Sequence, residues 1–188
     1  MFSETINGVE LTFETAETLF SPNSVDKGTL AMVAMLSVAD FAQGDKVLDL
    51  GCGYGVVGIY SAKLTGAQNV FMSDVEPLCV ELSRKNAELN NVGNVTVIRS
   101  DGFSNIGEKD FALILSNPPY HSDFSTPKQF IEKGFNRLKI GGKMLMVTKR
   151  RDWYKNKFIS VFGGVKIEEI DGYCVFCAER RCSQYAKR

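Results

Sequence analysis

The chain has 188 residues, of which 44% are hydrophobic and 23% charged, with 17 glycines and five prolines. This length and balance predict one globular domain with at most a small appendage, and they exclude disordered, collagenous and disulfide-framework proteins. No apolar run approaches the 18 residues that a membrane span needs, and the first residues lack the basic and apolar regions of a signal peptide. We therefore expect a cytoplasmic protein with no membrane partner and with reduced cysteines.

The charges cancel overall but are unevenly distributed. Residues 1–142 contain 11 Lys and Arg against 17 Asp and Glu, whereas residues 143–188 contain 11 against five. The basic excess is concentrated at Lys149-Arg150-Arg151, Arg180-Arg181 and Lys187-Arg188. Such a patch can attract a phosphate-rich partner or can be only a solvated surface, and charge alone leaves both interpretations open.

The first 27 residues are predicted to form a small unit of their own. Asn7-Gly8 lies between two segments of alternating polarity, a pattern typical of a β-hairpin because both turn residues can adopt positive φ. Residues 1–27 are therefore interpreted as a hairpin and arm, and residues 28–188 as the main domain. A helix is predicted over residues 29–41, with Leu30, Val33, Ala34 and Val38 on one face.

The rest of the chain alternates between strand-like and helix-like segments. Strands are predicted at 46–50, 69–73, 95–99, 111–116, 143–148, 165–170 and 173–179, and helices at 56–64, 77–90, 127–138 and 152–162, with Thr126 as the N-cap of the third. Strands that are apolar on both faces and alternate with helices indicate a doubly wound α/β domain around a parallel sheet. Only Asp171-Gly172 joins the last two strands, so they must be antiparallel.

The first strand of the main domain runs into a glycine-rich turn, Gly51-Cys52-Gly53-Tyr54-Gly55, followed by a helix. In an open parallel sheet, ligands bind beyond the carboxyl end of such a strand. The spacing Gly53-x-Gly55-x-x-Gly58 matches the dinucleotide fingerprint, and Asp74 follows the next strand, where a ribose-binding acid is expected. A nicotinamide dinucleotide and S-adenosylmethionine are therefore the competing cofactors.

Asp49 favours S-adenosylmethionine, because a carboxylate beside the turn repels a pyrophosphate but attracts an amino acid's ammonium group. The alternative is a plain tight turn with a buried acid bonded to backbone amides. Asp101-Gly102 follows the third strand, where the carboxylate could accept from the adenine amino group, with Val75 or Phe103 flanking the ring. Asp101-Gly102 could equally be only a turn.

The fourth strand runs directly into Asn117-Pro118-Pro119-Tyr120. The two prolines stiffen the backbone, so that the Asn117 Oδ1 and the Pro118 carbonyl can each accept one N–H of a planar amino group while Tyr120 stacks on it. Two acceptors interact more strongly as positive charge develops on the nitrogen, so no strong general base is needed. The alternative is a rigid proline turn.

Taken with the segments 11–13, 19–21, 26–29 and 138–142, these motifs resemble the methyltransferase small domain family of class I S-adenosylmethionine-dependent methyltransferases, most closely its ribosomal RNA guanine-N2 methyltransferases. The resemblance implies a Rossmann-like seven-stranded sheet of order 3-2-1-4-5-7-6 with the seventh strand antiparallel. It also implies that Asp49, Gly51, Cys52, Gly53 and Gly55 bind the methionine moiety. Similar Asn-Pro-Pro-Tyr motifs occur in adenine-N6 and protein glutamine methyltransferases, which remain alternatives, as does a cofactor-binding subunit without activity.

The same resemblance implies that Asp74 binds the ribose hydroxyls, Asp101 the adenine, and residues 117–120 the target amine. Val75 and Gly102, each next to one of these acids, are also predicted to bind the cofactor. RNA, with ribosomal RNA favoured, is the expected partner. Substrate contacts are predicted for Phe20, His121, Lys149 and Arg150. No metal is expected, because Cys174 and Cys177 lie three apart on a strand and so point to opposite faces. The ribosomal enzymes carry a second, N-terminal domain of similar size that the short arm here does not match.

Overall fold

The fold is described from a computed structural model that covers residues 1–19, 21–36, 41–118 and 123–186. Within those ranges the strands are β1 (Phe2–Ile6), β2 (Val9–Phe13), β3 (Val47–Leu50), β4 (Val70–Asp74), β5 (Thr96–Arg99), β6 (Phe111–Ser116), β7 (Leu138–Thr148), β8 (Lys166–Ile170) and β9 (Tyr173–Glu179). The α-helices are α1 (Lys27–Val33), α2 (Val56–Thr65), α3 (Pro77–Leu89), α4 (Ser125–Arg137) and α5 (Arg151–Phe162). None of these helices is long and apolar enough to cross a bilayer.

The central sheet has seven strands in the order β5-β4-β3-β6-β7-β9-β8. Neighbouring strands from β5 to β7 are parallel, whereas β9 is antiparallel to both β7 and β8. Counted along the chain, this is the order 3-2-1-4-5-7-6 with the seventh strand reversed. The predicted Rossmann-like doubly wound fold is therefore confirmed.

The predicted N-terminal hairpin is also present, with β1 and β2 paired from Phe2↔Phe13 to Ile6↔Val9. Asn7 and Gly8 have φ values of 48° and 82°, so both turn residues are left-handed as a two-residue hairpin turn requires. Leu11 and Phe13 are fully buried in the same apolar cluster as residues of α2. The hairpin thus packs against the main sheet's helices and shares their core.

The sheet separates two apolar layers, and successive residues of its strands alternate between them. Val47 belongs to the layer formed with the hairpin, α1, α2 and α3, whereas Leu48 belongs to the layer formed with α4 and α5. In β9, Cys174 belongs to the second layer and Cys177 packs against the first. The predicted opposite orientation of these two thiols is confirmed.

Most predicted boundaries lie within one residue of the structure, but those of three elements differ by two residues or more. Helix α1 runs from Lys27 to Val33 instead of over 29–41. It ends early because the amides of Met35 and Leu36 donate to carbonyls three residues back and so tighten the last turn. Of the residues predicted on its buried face, Ala34 is exposed and Val38 lies outside the described residues. Helix α4 begins at Ser125, so Thr126 lies inside its first turn and is not the cap. Strand β7 begins at Leu138, before the Gly141-Gly142 pair, because those glycines exchange backbone hydrogen bonds with Arg180.

Two asparagines of α3 attach the hairpin to the domain. The Asn90 amide accepts from the Thr12 N–H at 3.0 Å and donates to the Thr12 carbonyl at 2.7 Å. The Asn86 amide accepts from the Glu14 N–H at 2.7 Å and donates to the carbonyls of Glu14 and Tyr54 at 2.9 and 2.8 Å. These side chains satisfy backbone groups of β2 and the following residues as a neighbouring strand would.

Replacement of Asn86 by alanine is expected to reduce the free energy of unfolding by about 3 kcal/mol, because three partly buried backbone groups lose their partner. Urea unfolding followed by circular dichroism would measure the change. Asn94→Ala is the matched control, because Asn94 is exposed in a loop; its effect is expected to stay within about 0.5 kcal/mol. Equal stability of the two variants would contradict the role assigned to Asn86.

Candidate active site

The glycine-rich turn connects the carboxyl end of β3 to the first turn of α2. Gly51, Gly53 and Gly55 have φ values of 77°, 56° and 99°, a left-handed conformation that strains any residue with a Cβ atom. The amides of Gly51 and Cys52 both donate to the Ser73 carbonyl, at 2.8 and 2.9 Å, and so fasten the turn to the end of β4. The three glycines are therefore required by the backbone path.

Asp49 lies beneath this turn and is almost fully buried, with 2% of its surface exposed. Its Oδ2 accepts from the Gly58 N–H at 2.8 Å, near the start of α2. Burial raises the pKa of this carboxyl to about 7; the Gly58 amide lowers it and the charge of Asp74 raises it. The carboxyl is thus poised to gain or lose its proton near neutral pH. A β-carbon on Gly58 would lie 2.3 Å from Met72 Cγ and 3.2 Å from Asp49 Oδ2, so the close approach of α2 to the sheet depends on glycine at that position.

Asp74 is the last residue of β4 and contacts the glycine-rich turn. Its Oδ2 accepts from the Gly53 N–H at 2.9 Å, and its Oδ1 accepts from the Glu76 N–H at 3.0 Å. Cys52 is buried between the two acids, 3.3 Å from the hydroxyl of Ser83, and burial raises its pKa well above the ordinary value, with Asp49 adding to the effect. The Cys52 thiol is therefore protonated and is not a thiolate nucleophile.

Asn117 follows β6, whose carboxyl end lies beside that of β3. Its carboxamide nitrogen, Nδ2, donates to Asp26 Oδ2 and to Thr29 Oγ1, both at 2.9 Å. Asp26 is the N-cap of α1 and accepts from the Thr29 N–H at 3.0 Å. The amide plane of Asn117 is thereby fixed, with Nδ2 toward α1 and Oδ1 as its acceptor end.

One cavity of about 240 Å³ brings these groups together. It is lined by Leu19, Ser21, Asp26, Thr29, Asp49, Gly51, Cys52, Gly53, Tyr54, Val56, Val57, Asp74, Cys79, Asn117 and Pro118. Its walls combine carboxylates from three elements with the apolar side chains of Leu19, Val56 and Val57. The glycine turn, the two predicted acids and the start of the Asn-Pro-Pro-Tyr motif thus share one cavity.

The residues predicted to surround the adenine do not line this cavity. Val75 and Asp101 are exposed after the carboxyl ends of the adjacent strands β4 and β5, and neither they nor Gly102 line the cavity. Phe103 is 4% exposed and packs edge to face against Phe130 in the second apolar layer, 6.5 Å between ring centroids. Phe103 is therefore a core residue, whereas Val75, the other residue suggested to flank the adenine ring, is exposed.

The basic residues after β7 contact aromatic rings close to the same site. Lys149 Nζ lies 4.7 Å from the centroid of the Tyr173 ring, and the Tyr173 hydroxyl donates to Asp26 Oδ1 at 3.4 Å. Arg150 Cζ lies 4.9 Å from the centroid of the Phe124 ring, which in turn stacks on Trp153 at 4.4 Å. Both predicted substrate residues are exposed. Because β6 and β7 are parallel neighbours, Lys149 and Arg150 therefore lie at the same edge of the sheet as Asn117.

Four predicted site residues, Phe20, Pro119, Tyr120 and His121, lie outside the described residues. Within the described ranges, no group of three or more His, Cys, Asp and Glu side chains is arranged to hold a metal ion. Sequence reasoning missed Asp26 and Thr29 as neighbours of Asn117. Their spacing in the sequence, an acid three residues before a threonine at a helix start, indicates only a cap.

The matches to known proteins agree with this geometry. The sequence profile of the methyltransferase small domain matches residues 10–177. The chain belongs to the methyltransferase small domain family. It is 32% identical over 176 residues to the uncharacterized protein YbxB of Bacillus subtilis, covering 91% of this chain and 87% of that protein. It is 35% identical over 153 residues to ribosomal RNA small subunit methyltransferase C of Actinobacillus pleuropneumoniae, covering 79% of this chain and 46% of that enzyme.

Among solved structures, the T. thermophilus 16S rRNA G N2 methyltransferase RsmC, in complex with AdoMet and guanosine, superposes with a TM-score of 0.86 at 27% identity over 96% of this chain and 50% of that one. This methyltransferase family member thus spans about half the length of the small subunit methyltransferases that it matches. At the level of the family, the predictions of a methyltransferase and of S-adenosylmethionine as its cofactor are confirmed.

Proposed function

We propose that this protein transfers the methyl group of S-adenosylmethionine to an exocyclic amino group of a nucleobase in RNA, with guanine N2 of ribosomal RNA as the target. The observation that carries the proposal is the position of Asn117, whose carboxamide lines the same cavity as Asp49, Asp74 and the glycine turn. An acceptor for an amine would therefore lie in the wall of the cavity where a methyl donor would bind.

The residues of the cavity fit S-adenosylmethionine. Asp49 is a buried carboxyl that an ammonium group would stabilise in its charged form, and the left-handed glycines allow the backbone to approach the methionine moiety closely. Asp74, at the end of β4, would hold the ribose hydroxyls. A dinucleotide fits less well, because its pyrophosphate would lie between two carboxylates.

When bound, S-adenosylmethionine would supply an electrophilic methyl carbon. As the amine nitrogen attacks this carbon, the carbon–sulfur bond breaks and its electron pair stays on sulfur. The methylated nitrogen then loses a proton to water. Asn117 Oδ1 accepts one N–H of that amine and the Pro118 carbonyl accepts the other. Both acceptors strengthen their bonds as the nitrogen becomes positive, so they favour the transition state over the bound substrate. Alignment of the nitrogen supplies much of the remaining rate enhancement.

RNA is the substrate class that the rim favours. Lys149 and Arg150 are exposed beside Asn117's side of the cavity, and such cations bind phosphates. The aromatic pair Phe124 and Trp153 lies beside Arg150, and aromatic rings are surfaces on which unstacked bases bind. Matches to small subunit rRNA methyltransferases, including the enzyme solved with guanosine, add support for guanine N2.

Affinity for the methyl donor's product is expected to depend on pH through Asp49. In the free protein its pKa is about 7, and a bound ammonium group lowers that pKa, so binding below pH 7 must release a proton. The Kd of S-adenosylhomocysteine should therefore rise about tenfold for each pH unit below 7 and stay level from pH 7 to 8. Isothermal titration calorimetry between pH 5.5 and 8 measures this.

Asp49→Asn is the matched variant, because it keeps the shape and an acceptor for the Gly58 amide but cannot ionise. It should bind more weakly at pH 8 and lose the pH dependence. A wild-type Kd that is constant from pH 5.5 to 8 would contradict the pairing of Asp49 with an ammonium group. Binding of NAD in place of S-adenosylhomocysteine would instead favour a dehydrogenase.

The substrate is tested with S-adenosylmethionine labelled in the methyl group. Small ribosomal subunits, their deproteinised RNA and their proteins are incubated separately with the enzyme, and the labelled residue is identified by mass spectrometry. We expect label in RNA as N2-methylguanosine. Asn117→Ala should reduce kcat by about 10²- to 10³-fold while the Kd for S-adenosylhomocysteine changes less than threefold.

Asn94→Ala, distant from the cavity, controls for a general effect of asparagine removal and should retain the wild-type kcat. Label in N6-methyladenosine would identify adenine N6 as the substrate amine, and label in a protein glutamine would identify the glutamine side chain; either result would contradict guanine N2. Binding of S-adenosylhomocysteine with no transfer to any fraction would favour a cofactor-binding subunit. Unchanged turnover in Asn117→Ala would contradict the mechanism.

A further inference from the structure

The carboxylate of Asp26 makes two hydrogen bonds through a single oxygen. Its Oδ2 accepts from the Thr29 N–H at 3.0 Å, which caps α1, and from Asn117 Nδ2 at 2.9 Å. The second bond joins residues 91 positions apart in the chain and lies in the cavity wall. A helix cap needs only the first bond, so the second requires its own explanation.

We propose that Asp26 is a positioning residue for methyl transfer: it holds the Asn117 carboxamide by its nitrogen, so that Oδ1 is presented to the amine, and its negative charge strengthens Oδ1 as an acceptor. This inference rests on the proposed function of Asn117. Thr29 assists by accepting the other N–H of the same nitrogen, through Oγ1 at 2.9 Å.

The orientation of the carboxamide follows from these bonds. An asparagine side chain can rotate to exchange its oxygen and nitrogen, and a rotated Asn117 would present N–H groups to the amine. Rotation would also place the carbonyl oxygen against the Asp26 carboxylate and the Thr29 hydroxyl, where the first contact is repulsive. The two acceptors of α1 therefore select the orientation that can bind an amine.

Asp26 is itself held in place by Tyr173. The Tyr173 hydroxyl donates to its Oδ1 at 3.4 Å, and the Tyr173 ring packs over Gly28. A β-carbon at Gly28 would lie 2.7 Å from the Tyr173 ring and 2.9 Å from Asp26 Oδ2, so only glycine leaves room for this arrangement. The closeness of the three residues makes the carboxylate a fixed part of the site.

The charge of Asp26 also favours the reaction electrostatically. Hydrogen bonds of about 3 Å on either side of the carboxamide place the amine nitrogen within about 8 Å of the carboxylate. The nitrogen becomes positive as the N–C bond forms, and donation from Nδ2 to a carboxylate polarises the amide so that Oδ1 carries more negative charge. A neutral residue at position 26 would lose both effects.

The test compares variants that keep the helix cap. Asn and Ser are N-caps about as good as Asp, so Asp26→Asn and Asp26→Ser should leave the melting temperature within a few degrees of wild type. The Kd for S-adenosylhomocysteine should change less than threefold. We expect kcat to fall ten- to 100-fold in Asp26→Asn, which keeps an acceptor but not the charge, and further in the shorter Asp26→Ser. Glu81→Gln, an exposed position of α3, controls for the loss of one negative charge.

A coupling measurement separates positioning from a structural role. If Asp26 acts through Asn117, the double variant Asp26→Asn/Asn117→Ala should turn over at the rate of Asn117→Ala alone. A double variant whose kcat is reduced by the product of the two single reductions, or a wild-type kcat in Asp26→Asn, would overturn the inference. The labelled wild-type reaction is the reference, so absence of transfer by the wild type marks failure of the proposed function and not of this inference.

A measurement without substrate tests the same contact. The two Nδ2 protons of Asn117 should give NMR signals protected from exchange with water in the wild type, since both are donated. In Asp26→Ser the protection of one proton should be lost. Unprotected signals in the wild type, or equal protection in the variant, would overturn the inference whatever the substrate proves to be.

Discussion

The site depends on one constraint: both N–H bonds of the Asn117 carboxamide are donated to the beginning of α1, so the acceptor end of a flexible side chain has a fixed direction. The two partners come from distant parts of the chain, and the doubly wound sheet brings them together. β3 and β6 are adjacent and parallel, so the glycine turn and Asn117 emerge at the same edge. Helix α1, packed over β7 and β9, supplies Asp26 and Thr29 from the neighbouring face.

The electrostatics of the cavity follow from the same arrangement. Asp49 is buried under the turn, accepts from the Gly58 amide and has a pKa raised to about 7. Asp74 and Asp26 also accept hydrogen bonds, from backbone or side-chain donors. A cavity with three acids suits S-adenosylmethionine, which carries a positive ammonium group and a positive sulfonium that becomes a neutral thioether during the reaction. Basic residues lie outside it, at Lys149 and Arg150, where phosphates could bind without displacing the cofactor.

The parts of the fold that could be predicted are those encoded by local chemistry. The Asn7-Gly8 turn, the glycine-rich turn after β3 and the two-residue connection before β9 each have few structural solutions, and their predictions agree with the structure. Element boundaries that depend on tertiary contacts were harder to predict from the sequence. The end of α1 is set by a tightened turn, and β7 is extended by backbone bonds to Arg180. Phe103 follows a candidate ligand residue in sequence but packs in the core.

In the site, the acids that end buried strands could be predicted, because the strand pattern locates them at one edge. The roles of Asp26, Thr29 and Asn86 could not, since each acts on a residue 32 or more positions away and no local pattern records the partner. The most direct measurement is a crystal structure with S-adenosylhomocysteine and guanosine bound. The account predicts the guanine amino nitrogen at about 3 Å from Asn117 Oδ1 and the homocysteine ammonium at about 3 Å from Asp49. A carboxamide whose nitrogen faces the nucleoside, or a cofactor bound away from the glycine turn, would contradict it.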